Sequence, residues 1–316
     1  MPGSPPRFPW RTLGSRMAEL ELDFPGLRIG VAEYEDGPTG CTVFHFERGA
    51  TIERDVRGGS PGVSGDLDWV DAICFAGGSL YGLEAAAGVA AELFAQRDYD
   101  TGWMRIAAVA GAIIFDWGPR DGHVYPDKEL GRAAFRDARE GRFPLGRRGA
   151  GRSATVGKTF GLEGGETGGQ GGAFRTIGET RIAVFTVVNA VGAVVDRDGN
   201  VVRGHFDRPT GARRALVEGV EERVAGGRPV HPAPGNTTLT LVATNQRLDR
   251  GLLRQLGRQV HASMARAIHP FHALTDGDVL FAATTNEVEN ETLDSVALGV
   301  IASELAWDAV LAAVAN

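Results

Sequence analysis

Residues 226–245 read GGRPVHPAPGNTTLTLVATN, and the boundary inside that stretch, between Asn236 and Thr237, organises the chain around it. The first ten residues hold three prolines and three glycines without periodicity, so they suit neither a helix nor a central strand and should run over the surface. From Thr237 the pattern alternates. Leu239, Leu241 and Ala243 share one face and Thr238, Thr240 and Val242 the other, which predicts a half-buried strand. A flexible linker thus abuts the first residue of a rigid element. A threonine hydroxyl is a weak nucleophile and needs a base. Cutting the Asn236–Thr237 bond would give Thr237 a free α-amino group, whose ordinary pKa is about 7.7–8.0. That amine can take the hydroxyl proton near neutral pH with no histidine involved. The plainer alternative is that threonine simply favours strands.

Outward from this boundary, strands and helices mix. Leu27 to Ala32 and Cys41 to Phe46 read as strands around the turn Asp36-Gly37-Pro38. Ala72 to Phe75 is followed by Gly77-Gly78 and a helical pattern from Leu80 to Phe94, and Ile106 to Phe115 is strand-like. Ile182 to Val188 and Ala193 to Val195 are β-rich, with Asp198-Gly199 turning back into Val201-Val202. Ala212 to Ala225 reads as a helix stopped by Gly226-Gly227. Two more helices are expected from about Asp249 to Ile268 and Asp294 to Ala315, with a strand at Val279 to Thr284 between them. The expected architecture is α/β, mixed layers around a sheet in one domain spanning residues 20–316. Residues 1–19 read as a mobile extension, in which Met17 is an equally natural start.

Composition narrows the function. Over 316 residues, 33 basic against 40 acidic side chains give a net charge of −7 with no basic stripe, so no nucleic-acid partner is expected. Ile106–Phe115 is too short to span a bilayer and Glu304 and Asp308 interrupt Val296–Val314, so no membrane partner is expected either. Two cysteines, Cys41 and Cys74, suffice for neither a disulfide framework nor a zinc cluster, and a reducing cytoplasm is the expected compartment. Glycine is in excess, 45 residues or about 14% where roughly 7% is usual, so close backbone approaches should be frequent.

Other motifs carry less. GRSATVGKT at Gly151–Thr159 spaces its glycines one residue too far apart for a phosphate-binding loop. GGSLYG at Gly77–Gly82 lacks dinucleotide spacing; it is either a tight strand-to-helix turn or a nest of N–H donors, in Gly77, Gly78 and Ser79, for a substrate carbonyl. HPFH at His269–His272 is split by proline and has no ligand partners, so neither metal nor cofactor is expected.

The linker-strand boundary does not stand alone. GNTTL, FPGLRIG (24–30), GPTGCTVFHF (37–46), AGGSLYGLEAAAGV (76–89), VYPDKELGRAA (124–134), GAGRSATVGK (149–158), TGARR (210–214) and TDGDVLFAATT (275–285) resemble the P1, or S58-type, peptidase family of N-terminal-nucleophile hydrolases, over about residues 20–315. EYEDGPTG, VYPDK and DGD resemble in particular the branch acting on linear 6-aminohexanoate (nylon) oligomers. The resemblance implies a layered αββα fold and self-cleavage between Asn236 and Thr237 into parts 1–236 and 237–316. It makes Thr237 the nucleophile of an acyl-enzyme amide hydrolase and matches Lys158, Asn189, Asp276 and Asp278 to active-site residues. Tyr125 matches a residue near the substrate. In those roles Asn189 can donate to an oxyanion, Lys158 can supply positive charge, and the two aspartates, in one short turn, can orient the Thr237 amine or hydroxyl. The implied substrate is a small or oligomeric amide and the implied assembly a homotetramer of αβ units. An aminopeptidase of the same mechanism and an acyltransferase remain open. Leu80, larger than that branch's usual residue, should narrow the cleft.

Overall fold

Eight long strands carry the architecture: β1 (Leu27–Tyr34), β2 (Thr39–Val56), β3 (Trp69–Ala76), β4 (Val109–Ile113), β5 (Gly169–Ile177), β6 (Thr180–Asn189), β7 (Thr237–Gln246) and β8 (Val279–Val288). The structure is a computed structural model and describes residues 10–12, 18–118, 120 and 122–315. The hydrogen-bonded order is β5-β6-β7-β8-β2-β3-β4, with β1 on the free side of the first half of β2 and two short strands, Trp10–Thr12 and Val63–Ser64, completing one ten-stranded sheet. Most of the anticipated amino-terminal extension lies outside the described residues, but Trp10–Thr12 pairs with Ala32–Tyr34.

β2 makes the layers. Its 18 residues pair with β1 through Thr39–Phe46 and with β8 through Thr51–Val56, and its register against β3 breaks between His45 and Ala50. Phe44 on β2 meets Phe185 on β6 with ring centroids 5.1 Å apart. Within the sheet those strands are three places apart, or roughly 14 Å at about 4.8 Å per strand. The contact is therefore made face to face, and the sheet folds over itself at β2. Phe75 and Phe281, on β3 and β8, close the same inner core.

Two outer cores finish the sandwich. Helices α1 (Leu83–Gln96) and α2 (Lys128–Arg136) cover Val43, Cys74 and Ala76, while α4 (Arg250–Ser263) and α5 (Ser295–Val314) cover Val184, Val242 and Leu280; a further helix, α3 (Leu216–Ala225), precedes the linker. The result is an αββα stack. Aspartates begin three of these helices by accepting a backbone N–H: Asp127 from Leu130 (3.0 Å), Asp249 from Leu252 (2.9 Å) and Asp294 from Ala297 (2.8 Å). α5 is long and apolar enough to cross a membrane by length and composition. Here it lies on β5 and β6, and Glu304 and Asp308 on its other side pair with Arg197. Its close seat requires the glycines of β5: a Cβ on Gly171 would stand 1.9 Å from the Ala309 carbonyl oxygen.

The sandwich corrects two expectations. β7 is buried along its whole length rather than half-buried, because α4 and α5 cover the face its threonines occupy. There Thr240 bonds the Thr186 hydroxyl (3.1 Å) and the Met264 sulfur (3.5 Å). The helix expected from Ala212 starts only at Leu216, after a short strand, Ala212–Arg213, that pairs with Phe206–Asp207.

Candidate active site

Asn189 ends β6 and Thr237 begins β7, and the two are paired in register. Directly opposed residues of an antiparallel pair send their side chains to the same face. The Thr237 hydroxyl donates to the Asn236 carbonyl oxygen at 2.5 Å, and the Gly277 N–H donates to the same oxygen at 2.8 Å. The Asn236–Thr237 peptide is thus touched by the hydroxyl on one side and held through its oxygen by a backbone donor. Gly277 is obligatory at this approach, since a Cβ there would lie 2.6 Å from the Ser60 carbonyl oxygen and 2.8 Å from the Thr237 hydroxyl. No signal in the TDGD motif alone marked the Gly277 N–H as a donor.

Asn189 and Lys158 meet beside this pair. The Lys158 ammonium donates to the Asn189 main-chain oxygen (3.1 Å) and to its Oδ1 (3.2 Å), which also accepts the Thr155 N–H (2.9 Å). The Asn189 Nδ2 donates to the carbonyls of Phe115 (2.9 Å) and Gly235 (3.3 Å). Lys158 is only 2% exposed, and burial pulls its pKa down to about 7 against the opposing charge of Asp276. It is not a solvated loop charge. At neutral pH it is poised between a cation and a neutral base.

Both aspartates are fully buried, but they do not point at the hydroxyl. Asp276 accepts the N–H groups of Val191 and Ala273, each at 3.1 Å. Asp278 accepts the N–H of Thr238 at 2.7 Å and, through its other oxygen, the N–H and ring Nδ1 of His272 at 3.1 and 3.0 Å. The expected shared orientation is corrected accordingly. Buried N–H groups claim the carboxylate oxygens, so Asp278 holds the backbone just after Thr237 while Asp276 ties the segment after β6 to Ala273. His272 was missed as a site residue; its HPFH setting drew notice only as a metal motif, and its φ of +59°, unusual for a side-chain-bearing residue, is a structural signal. Among the described residues no three His, Cys, Asp or Glu side chains are grouped to hold a metal.

Burial pushes the Asp276 carboxyl up to about 7, with the Asp278 charge adding to the rise. A folded-state carboxyl above its unfolded value contributes stability fully below about pH 4 and loses it as pH rises to about 7. Lys158, shifted downward, works in the opposite direction between about pH 7 and 10.5. We therefore expect Asp276→Asn, made in an uncut Thr237→Ala background, to gain in melting temperature relative to its parent as pH is raised from 4.5 to 7. Parallel melting curves across that range would show that the carboxyl ionises normally.

Thr237 opens onto a cleft of about 390 Å³ whose wall includes Ser60, Ser79, Leu80, Ile113 and Phe115. Ser79 and Leu80 therefore reach it. The nest expected at Gly77–Ser79 does not form, since each N–H is already spent: Gly77 on the Gly40 carbonyl (3.0 Å), Gly78 on Asp116 (2.8 Å) and Ser79 on the Ile114 carbonyl (2.9 Å). This is a strand-to-helix turn pinned by Asp116, which also binds Thr39 and Arg120. Tyr125 stands off the cleft, with its hydroxyl on Glu84 (3.0 Å) and its ring against Tyr81. Tyr81, Trp117 and Phe115 continue that aromatic row to the cleft wall.

A hydroxyl-bearing residue at the head of a buried strand inside an αββα sandwich is the layout of the N-terminal-nucleophile hydrolase fold. The fold matches the L-aminopeptidase D-Ala-esterase/amidase of Ochrobactrum anthropi, described as a variant of that fold, with a TM-score of 0.68 and 16% identity over 91% of this chain and 83% of that one. It also matches a β-aminopeptidase of Burkholderia sp. with a TM-score of 0.61 and 18% identity, over 94% and 88% of the two chains. The chain belongs to peptidase family S58, whose signature spans residues 22–316. It is 47% identical over 315 residues to the 6-aminohexanoate-oligomer endohydrolases of Agromyces sp. (strain KY5R) and Paenarthrobacter ureafaciens, covering 96% of this chain and 88% of each relative. An uncharacterized aminopeptidase of Mycobacterium leprae (strain TN) is 32% identical over 269 residues, covering 79% of this chain and 72% of that relative.

Proposed function

We propose that the protein is a self-processing N-terminal-threonine amide hydrolase that acts on linear oligoamides such as 6-aminohexanoate oligomers. The observation that carries this reading is the hydroxyl of Thr237 lying against the Asn236 carbonyl while Gly277 holds that carbonyl oxygen. Attack of the hydroxyl on the Asn236 carbon forms a C–O bond. The C–N bond then breaks, with the proton passing to the Thr237 nitrogen, and water hydrolyses the ester to release the Asn236 carboxylate. Thr237 is left with a free amine, which serves as the base for its own hydroxyl. A substrate amide then repeats the sequence through an acyl-Thr237 ester, its oxyanion stabilised by the Gly277 N–H and the Asn189 amide. Lys158 supplies charge beside Asn189, and Asp276 and Asp278 keep the strand ends in register.

The substrate class follows the names of the 47%-identical relatives, which cover nearly the whole chain. A cytoplasmic location and assembly into a homotetramer of αβ units belong to the same reading. Incubating the purified protein with a defined 6-aminohexanoate hexamer and following product lengths by mass spectrometry tests it. Internal cuts, with dimers to tetramers appearing early, are expected. Release of one unit at a time would favour the aminopeptidase reading, and an unchanged hexamer would end the substrate assignment.

A further inference from the structure

In self-cutting and in turnover alike, the Thr237 hydroxyl attacks a carbonyl carbon at one place. The acyl side of a substrate must therefore lie where Asn236 and the residues before it lie in the uncut chain. Those residues are held by specific contacts. The Gly235 carbonyl accepts the Asn189 Nδ2 (3.3 Å), and the Ala233 N–H donates to the Lys158 carbonyl (3.1 Å). Gly235 presses so closely on Phe115 that a Cβ there would stand 2.2 Å from the ring. Asn236 turns its carboxamide inward, Nδ2 onto the Ala233 carbonyl (2.7 Å), and leaves its buried Oδ1 unpartnered.

Beyond Ala233 the chain leaves the protein, and residues 226–229, 231 and 232 are exposed. Asn189 also stands between two clefts. Its Nδ2 faces Phe115 and Gly235, which line the first, and its Oδ1 faces Thr155 and Lys158, which line a second of about 500 Å³. No carboxylate is among the described residues lining the first cleft, and both oxygens of nearby Asp276 are spent on backbone N–H groups.

We propose that the path filled by Ala233–Asn236 is the acyl-side binding track of the mature enzyme, an open-ended groove for an extended, uncharged polyamide chain. This rests on the assignment of Thr237 as nucleophile. Withdrawal of the cut segment frees the Asn189 Nδ2 from the Gly235 carbonyl and the Lys158 carbonyl from the Ala233 N–H. A substrate amide beyond the scissile one donates to the Lys158 carbonyl as Ala233 does, the freed Asn189 Nδ2 turns to the scissile oxyanion, and the substrate chain runs on past Lys158 toward the second cleft. With no carboxylate to bind an ammonium at the start of the track, a free amine there is not required. The uncut segment is accordingly an internal occupant that keeps the site closed until it is cut.

Two measurements test the track. The cut wild-type protein should hydrolyse 6-aminohexanoate tetramer and its amine-acetylated form with kcat/KM values within about threefold of each other. A hundredfold loss on acetylation overturns the proposal. The probe acetyl-Ala-Pro-Gly-Asn, the departing segment itself, should inhibit the cut enzyme competitively and should not bind the uncut Thr237→Ala chain by calorimetry, because there the track is full. Equal binding to both overturns it as well. A protein that is cut and turns over the free tetramer but rejects the acetylated one loses the track alone. One that is neither cut nor active loses the nucleophile assignment too.

Discussion

Thr237→Ala should purify as a single 33.5 kDa chain without measurable amide hydrolysis, whereas the parent should separate under denaturing conditions into residues 1–236 and 237–316. The substitution removes one hydroxyl, which among the described residues donates to the Asn236 carbonyl, the group it attacks in the proposed cut. The β6–β7 ladder that seats the residue is made by the backbone and survives, so the fold should persist and circular dichroism should match the parent. Removing the attacking group of a covalent mechanism costs on the order of 10⁴-fold or more in rate. Intact-mass spectrometry decides the outcome. Fragmentation of the variant at the same bond, or retained turnover by an uncut chain, would refute the proposed chemistry.

Asn189→Ala should lower kcat by about 10²–10³-fold with a much smaller change in KM, the loss typical of one oxyanion donor. In the uncut chain its Nδ2 is committed to Phe115 and Gly235, and departure of residues 233–236 leaves that donor aimed at the cleft. Alanine also strips Lys158 of one of its two acceptors. Asn189→Asp separates these effects, because it keeps an oxygen for Lys158 and loses the donor. A comparable kcat loss in both variants is expected. Wild-type turnover in Asn189→Asp would take the amide out of the reaction.

Much of this was readable from residue order. The linker-to-strand change at Thr237, the alternation of β7 and the helical repeats of α4 and α5 placed the central elements to within a few residues. Local pattern does not encode what covers a strand, and the threonine face of β7 read as half-exposed because two distant helices supply its cover. The same limit hid His272, whose own positive φ and contact with Asp278 are set by the fold rather than by any spacing. It also misplaced the Gly77–Ser79 donors, which were open in sequence and are occupied by Gly40, Asp116 and Ile114 in the fold. Tyr125 could be assigned to a motif, but its direction depends on Glu84, 41 residues away.

The central position of β7, hydrogen-bonded to β6 on one side and β8 on the other, has a consequence for the life of the enzyme after maturation. The proposed cut would leave two polypeptides interlocked through the middle of one sheet, unable to part without global denaturation. From then on renaturation is a second-order encounter between fragments rather than the collapse of one chain. A molecule cut as proposed and then unravelled would have lost the connectivity that folded it, so its durability would be set by how slowly it opens.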